Sequence, residues 1–71
     1  MNREDVRTLI NDITGRAYDD DEIVEMTSLQ QLEFAFAIEE ELNFRHQLPE
    51  DLRWKCVNDV VEWLKEKEEL T

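Results

Sequence analysis

The sequence predicts an all-α fold: a small four-helix bundle of three main helices and one short one, with a long loop after the first helix. Three observations predict it. Apolar residues recur at intervals of three and four in three separate segments. No alternating apolar and polar run of strand type is present. One glycine and one proline in 71 residues leave few breaks, and these two fall where helices end and begin.

Val6, Leu9, Ile10 and Ile13 form the apolar stripe of the first helix. Asn2 suits its N-cap, Glu4 and Asp5 complement its positive end, and Gly15 stands where a left-handed residue closes it. Arg16 to Met26 lacks helical repetition, contains Asp19-Asp20-Asp21-Glu22, and reads as a long loop. Ile23, Val24 and Met26 are expected to pin it to the core. A loop of this length in so small a domain points to function. Thr27 to Leu42 is the second helix, capped by Thr27 or Ser28, with Gln30 or Gln31 completing a capping box in either register. Asn43 tolerates the left-handed conformation that ends a helix. Phe44 to Leu48 connects to Pro49-Glu50-Asp51-Leu52, which suits the first turn of a short helix. Val57, Val60, Val61 and Leu64 define the last helix. Lys65 to Leu70 is charged and is expected to be a solvated, fraying end.

Length and charge bound the function. Residues 1–71 make a single domain with a small core and no room for an enclosed enzyme pocket, so a function on its surface or on an attached group is expected. There are 19 acids against 8 bases, a net charge of -11, which argues against binding nucleic acid or an anionic membrane by charge. The longest apolar run, Phe34 to Ile38, is far too short to span a membrane. The N-terminus is charged with no apolar segment behind it, so no secretory signal is expected. Cys56 is the only cysteine and makes no internal disulfide. A reducing compartment, the cytoplasm, is therefore expected; a monomer is expected as well. Self-repulsion at this charge density opposes compactness, so added salt or magnesium is expected to raise the melting temperature. A melting temperature flat across both titrations would count against that.

The second helix carries two apolar stripes. Phe34, Ala35, Ile38 and Leu42 gather on one side, and Leu29, Leu32 and Phe36 on the other, edged by Glu33, Glu39 and Glu40. Periodicity alone leaves two readings of the second stripe. It packs on the loop and the other helices, as is expected of Leu29, or Leu32 and Phe36 stay exposed in an acidic rim and dock an apolar, basic partner surface.

Ser28 is the only serine and lies at the junction of the acidic loop and this helix. Taken by itself it is most simply a helix cap. No hydrolase constellation surrounds it: His46 is the only histidine and there is no G-x-S-x-G turn. The frame around it is more specific. Thr27-Ser28-Leu29, followed by Gln30-Gln31-Leu32-Glu33-Phe34 and Glu39-Glu40-Glu41-Leu42, resembles the acyl carrier proteins, in which Asp-Ser-Leu opens the second helix and an acidic segment follows. Leu48-Pro49-Glu50-Asp51 is similar to that family's entry to its short third helix, and Val57 to Leu64 to its last helix. The resemblance covers nearly the whole chain.

The resemblance implies a bundle without a catalytic site of its own. A phosphopantetheinyl transferase would attach phosphopantetheine from coenzyme A to Ser28, and the arm would carry an acyl or aminoacyl group as a thioester to enzymes of lipid, polyketide or related biosynthesis. It further implies that Thr27, Leu29, Gln30, Leu32, Glu33, Phe36, Glu39 and Glu40 meet partner enzymes with basic, apolar docking surfaces. Four departures stand against this frame. Thr27 and Gln30 replace usual acids, Asn43 replaces a common glycine, and the segment between Leu42 and Pro49 is two residues longer. Trp54 and Trp63 would reshape the groove that shelters an acyl chain, and Trp54 is similar to the tryptophan before the last helix of D-alanyl carrier proteins. A specialised carrier is implied, whose cargo need not be a fatty acid.

Other sites are weaker. Asp19 to Glu22 lacks the glycine and spacing of a calcium loop. Cys56 and His46 are too few for zinc; Cys56 is expected to pack in the interior and His46 to lie on the surface. Two further readings remain open: an unmodified carrier-fold interaction module, motivated by Thr27, and an acidic mimic of nucleic acid, motivated by charge alone.

Overall fold

The computed structural model describes residues 1–48 and 54–71. It contains three helices, α1 (Arg3–Thr14), α2 (Ser28–Glu41) and α3 (Val57–Glu66), and no strand among the described residues. The expected short helix at Pro49 to Leu52 lies outside the described residues.

Local signals set the helix bounds. The Asn2 side chain accepts from the Asp5 N–H and the Asp5 carboxylate accepts from the Asn2 N–H, both at 2.9 Å, a reciprocal capping box at the start of α1. Gly15 ends α1 at φ 75°, its N–H bonded to the Asn11 carbonyl. Asn43 (φ 54°) and Phe44 (φ 57°) are left-handed after α2, and Glu68 (φ 58°) after α3; Asn43 and Glu68 are the first such residues after their helices. Each opens a Schellman motif. After α2, Asn43 N–H donates to Glu40 O and Phe44 N–H to Glu39 O; after α3, Glu68 N–H donates to Lys65 O and Glu69 N–H to Leu64 O.

The core joins Val6 and Ile10 of α1, Phe34 and Ile38 of α2 with Leu42 at its C-cap, Leu48, and Val57, Val60, Val61 and Leu64 of α3. α1 packs against both other helices. The link between α2 and α3 is aromatic. Trp54 meets Phe34 edge-on at 5.7 Å between ring centroids and Trp63 at 5.5 Å, and Trp63 meets His46 at 5.9 Å.

The long loop is held at three places. Asp20 accepts from Arg3 Nη1 at 2.8 Å and Arg7 Nε at 2.7 Å, and the same Arg3 nitrogen donates to Asn58 Oδ1 of α3 at 2.7 Å. The Asn58 N–H returns to the Asp20 carbonyl at 3.0 Å and the Val24 N–H reaches the Lys55 carbonyl at 2.7 Å. Val24 and Met26 pack against the core. Ile23 does not: it is 68% exposed, between the half-buried Glu22 and Val24.

The C-terminal end is tied down and does not fray as its charge suggested. Leu70 packs on the core. Glu69 receives the Arg45 guanidinium and lies 3.3 Å from His46 Nε2. The Met1 ammonium donates to the Glu69 carbonyl at 3.1 Å and the Thr71 N–H to the Met1 carbonyl at 2.9 Å. Hydrogen bonds to distant residues hold this segment, and local charge carries no sign of them. His46 is accordingly half-buried and not a free surface residue. Cys56, the N-cap of α3, is also half-buried, short of the packed interior position expected.

Two carboxyls titrate below their ordinary range. The Arg7 hydrogen bond lowers Asp20, assisted by the charges of Arg7 and Arg3, with desolvation opposing. The Arg45 hydrogen bond lowers Glu69, assisted by His46, with desolvation again opposing. A carboxyl depressed on folding stabilises the fold fully above its unfolded pKa, and that contribution is lost as pH falls through the folded value. The melting temperature is therefore expected to drop below about pH 4, the region of unperturbed carboxyls. A double variant, Asp20→Asn with Glu69→Gln, is expected to melt lower at pH 7 and to show a shallower acid dependence. An unchanged acid limb in the variant would remove these two groups from the account.

Candidate functional site

The start of α2 is built by Thr27. Its hydroxyl accepts from the Gln30 N–H at 3.1 Å, and Gln30 Oε1 accepts from the Thr27 N–H at 2.9 Å. Gln30 Nε2 also donates to the Ile13 carbonyl at 3.3 Å, fastening this end of α2 to the end of α1. Ser28 is exposed and is the first residue of the helix, not its cap. The N–H groups of Ser28 and Leu29 belong to the first helical turn, where no carbonyl lies one turn behind to accept them. In a chain of net charge -11, the first turn of α2 holds no acid. No carboxylate of that turn therefore offsets its positive end.

Beside this turn, Met26, Gln31, Phe34 and Trp54 line a small open cleft with about 20 Å³ of room, about the space of one water molecule.

One of the two stripes of α2 is buried and the other is not. Phe34 is 2% exposed and Ile38 is fully buried, while Leu29, Leu32 and Phe36 are 65%, 59% and 64% exposed. Leu29 thus departs from the expected packing: α1 packs against α2, whose buried side is that of Phe34 and Ile38, and the loop is tied elsewhere, to Arg3 and Arg7 of α1 and to Lys55 and Asn58. Glu33 and Glu40 are exposed on the same helix, which carries four acids and no base.

The residues singled out from sequence therefore divide. Ser28, Leu29, Leu32, Glu33, Phe36 and Glu40 share the solvent-facing part of α2. Thr27 and Gln30 are spent on the cap. Glu39 is half-buried and accepts from the Leu48 N–H at 3.4 Å. Ile23 and Phe44 are exposed apolar residues that periodicity did not mark; both lie outside helices, where no period exists to mark them.

Among the described residues no helix is long and apolar enough to cross a membrane, and no group of three His, Cys, Asp or Glu side chains is placed to hold a metal ion. Compared with models of known protein families, with curated proteins and with solved structures, the chain matches none.

Proposed function

We propose that this chain is a non-catalytic, cytoplasmic carrier protein of the acyl-carrier type, bearing phosphopantetheine on Ser28. The division of labour at the start of α2 carries the reading. Thr27 does the capping that would otherwise explain a serine here, so the Ser28 hydroxyl stands exposed without that role. The residues around it fit a phosphodiester. The unpaired N–H groups of the first turn and the acid-free helix start favour a bound phosphate. Thr27 and Gln30, which stand where the family carries acids, still complete the cap of the helix that presents Ser28.

When bound, phosphopantetheine supplies a terminal thiol that carries an acyl or aminoacyl group as a thioester. Ser28 Oγ supplies the oxygen of the phosphodiester, and α2 holds it at a fixed, open place on the bundle. Tethering raises the cargo's effective concentration at each partner enzyme. Leu29, Leu32 and Phe36, flanked by Glu33 and Glu40, offer those enzymes an apolar patch in a field that attracts Lys and Arg.

That same patch supports a second reading, an interaction module that is never modified, because docking through it needs no Ser28. Complementation in cells deprived of the natural gene separates the two. The carrier reading predicts that Ser28→Ala abolishes function while the fold loses no more than about 1 kcal/mol. The module reading predicts that Ser28→Ala is silent and that Leu32→Asp abolishes function.

A further inference from the structure

We infer that Phe44 is a docking anchor at the C-terminal end of α2, for a partner protein surface that carries an apolar socket ringed by Lys or Arg. The inference begins from a backbone outlier. Phe44 has φ 57°, a left-handed conformation that is rare for a bulky residue and costs free energy wherever it occurs. The helix end does not require it. Both α2 and α3 close with the same Schellman hydrogen bonds, yet after α3 only Glu68 is left-handed, whereas after α2 both Asn43 and Phe44 are. Nor is the strain offset by packing, since Phe44 is 67% exposed.

Phe44 is held in place, not loosely tethered. Its N–H bonds to Glu39 O at 2.8 Å, and the next N–H, of Arg45, bonds to Leu42 O at 3.2 Å. Arg45 is pinned to Glu69, and His46 sits between Glu69 and the edge of Trp63. An exposed aromatic presented on a fixed backbone loses little freedom on binding, which is what an anchor needs.

Charge selects the partner. Glu39, Glu40 and Glu41 occupy the last turn of α2 with no base among them. Carboxylates at the negative end of a helix are disfavoured within the chain. A cationic surface brought against this end meets both the carboxylates and the unfavourable dipole end, and relieves each.

The test uses the apo protein, so it does not depend on Ser28 or its modification. The probe is an amphipathic helical peptide of about five turns, leucine on one face and lysine on the other, titrated into isotope-labelled protein and followed by NMR. Shift changes are expected at Phe44 and along the exposed face of α2. Phe44→Gly is expected to weaken binding about tenfold and to raise the melting temperature by a few degrees, since glycine adopts positive φ without strain. Two results would overturn the inference. One is binding unchanged in Phe44→Gly, with shifts centred on Asp19 to Glu22, as charge alone would give. The other is a lowered melting temperature in Phe44→Gly, which would make Phe44 a structural residue.

Discussion

Phe34→Ala is expected to unfold the protein or bring it to the edge of unfolding, whereas Phe36→Ala leaves it folded. The two residues are neighbours but one on the same helix and of the same type. Phe34 is 2% exposed, lies in the core and meets the Trp54 ring edge-on. Truncating such a phenylalanine removes its transfer free energy and leaves a cavity, at a cost of about 3–5 kcal/mol. The core of a chain this short supplies net stability of rarely more than about 3–5 kcal/mol, so the substitution removes most or all of it. Phe36 is 64% exposed, and its loss costs no more than about 0.5 kcal/mol. Urea titration followed by tryptophan fluorescence measures both, because Trp54 touches Phe34 and Trp63 and reports the core directly. Equal effects at the two positions would mean that the second stripe of α2 is also buried, and the proposed docking face would vanish with it.

That pair also shows what the sequence could and could not tell. The bounds of α1 were legible because Asn2 and Gly15 act locally, each through its own conformation and nearest turn. The start of α2 was legible as a capping box but not in its register, since Thr27 and Ser28 are both good caps and only the hydrogen bond to Gln30 decides between them. The spacing of Val57, Val60, Val61 and Leu64 marked α3 because one face of it is apolar. On α2 two faces are apolar, and which is covered depends on where α1 lies. The exposure of Leu29 was not legible for the same reason. The ties of Asp20 to Arg3 and Arg7, and of Glu69 to Arg45 and His46, join residues far apart in the chain. Such pairings leave no local mark. The same holds for the exposure of Ile23, in a loop tied down elsewhere, and for Phe44, whose backbone state no composition or period announces.

The other large expected effect concerns Ser28, and it is all-or-none. A hydroxyl is the only group at this position that can form the phosphodiester, so under the proposed carrier function Ser28→Ala loses all activity. The fold should hardly respond, since Thr27 and Gln30 complete the cap without it. Circular dichroism and the melting temperature of Ser28→Ala are therefore expected to match the parent closely. Thr27→Ala makes the complementary case: the hydroxyl of Ser28 remains, but the cap is lost at a cost of about 1 kcal/mol. Loading should persist on a less stable domain.

The central claim is that Ser28 is an attachment point, and intact mass spectrometry addresses it most directly. The purified protein is weighed before and after incubation with coenzyme A and a broad-specificity phosphopantetheinyl transferase, with Ser28→Ala treated alongside. The account predicts a gain of one phosphopantetheine in the parent and none in the variant. No gain with several transferases, or an equal gain in Ser28→Ala, would contradict it and leave the exposed face of α2 as the working surface of an unmodified module.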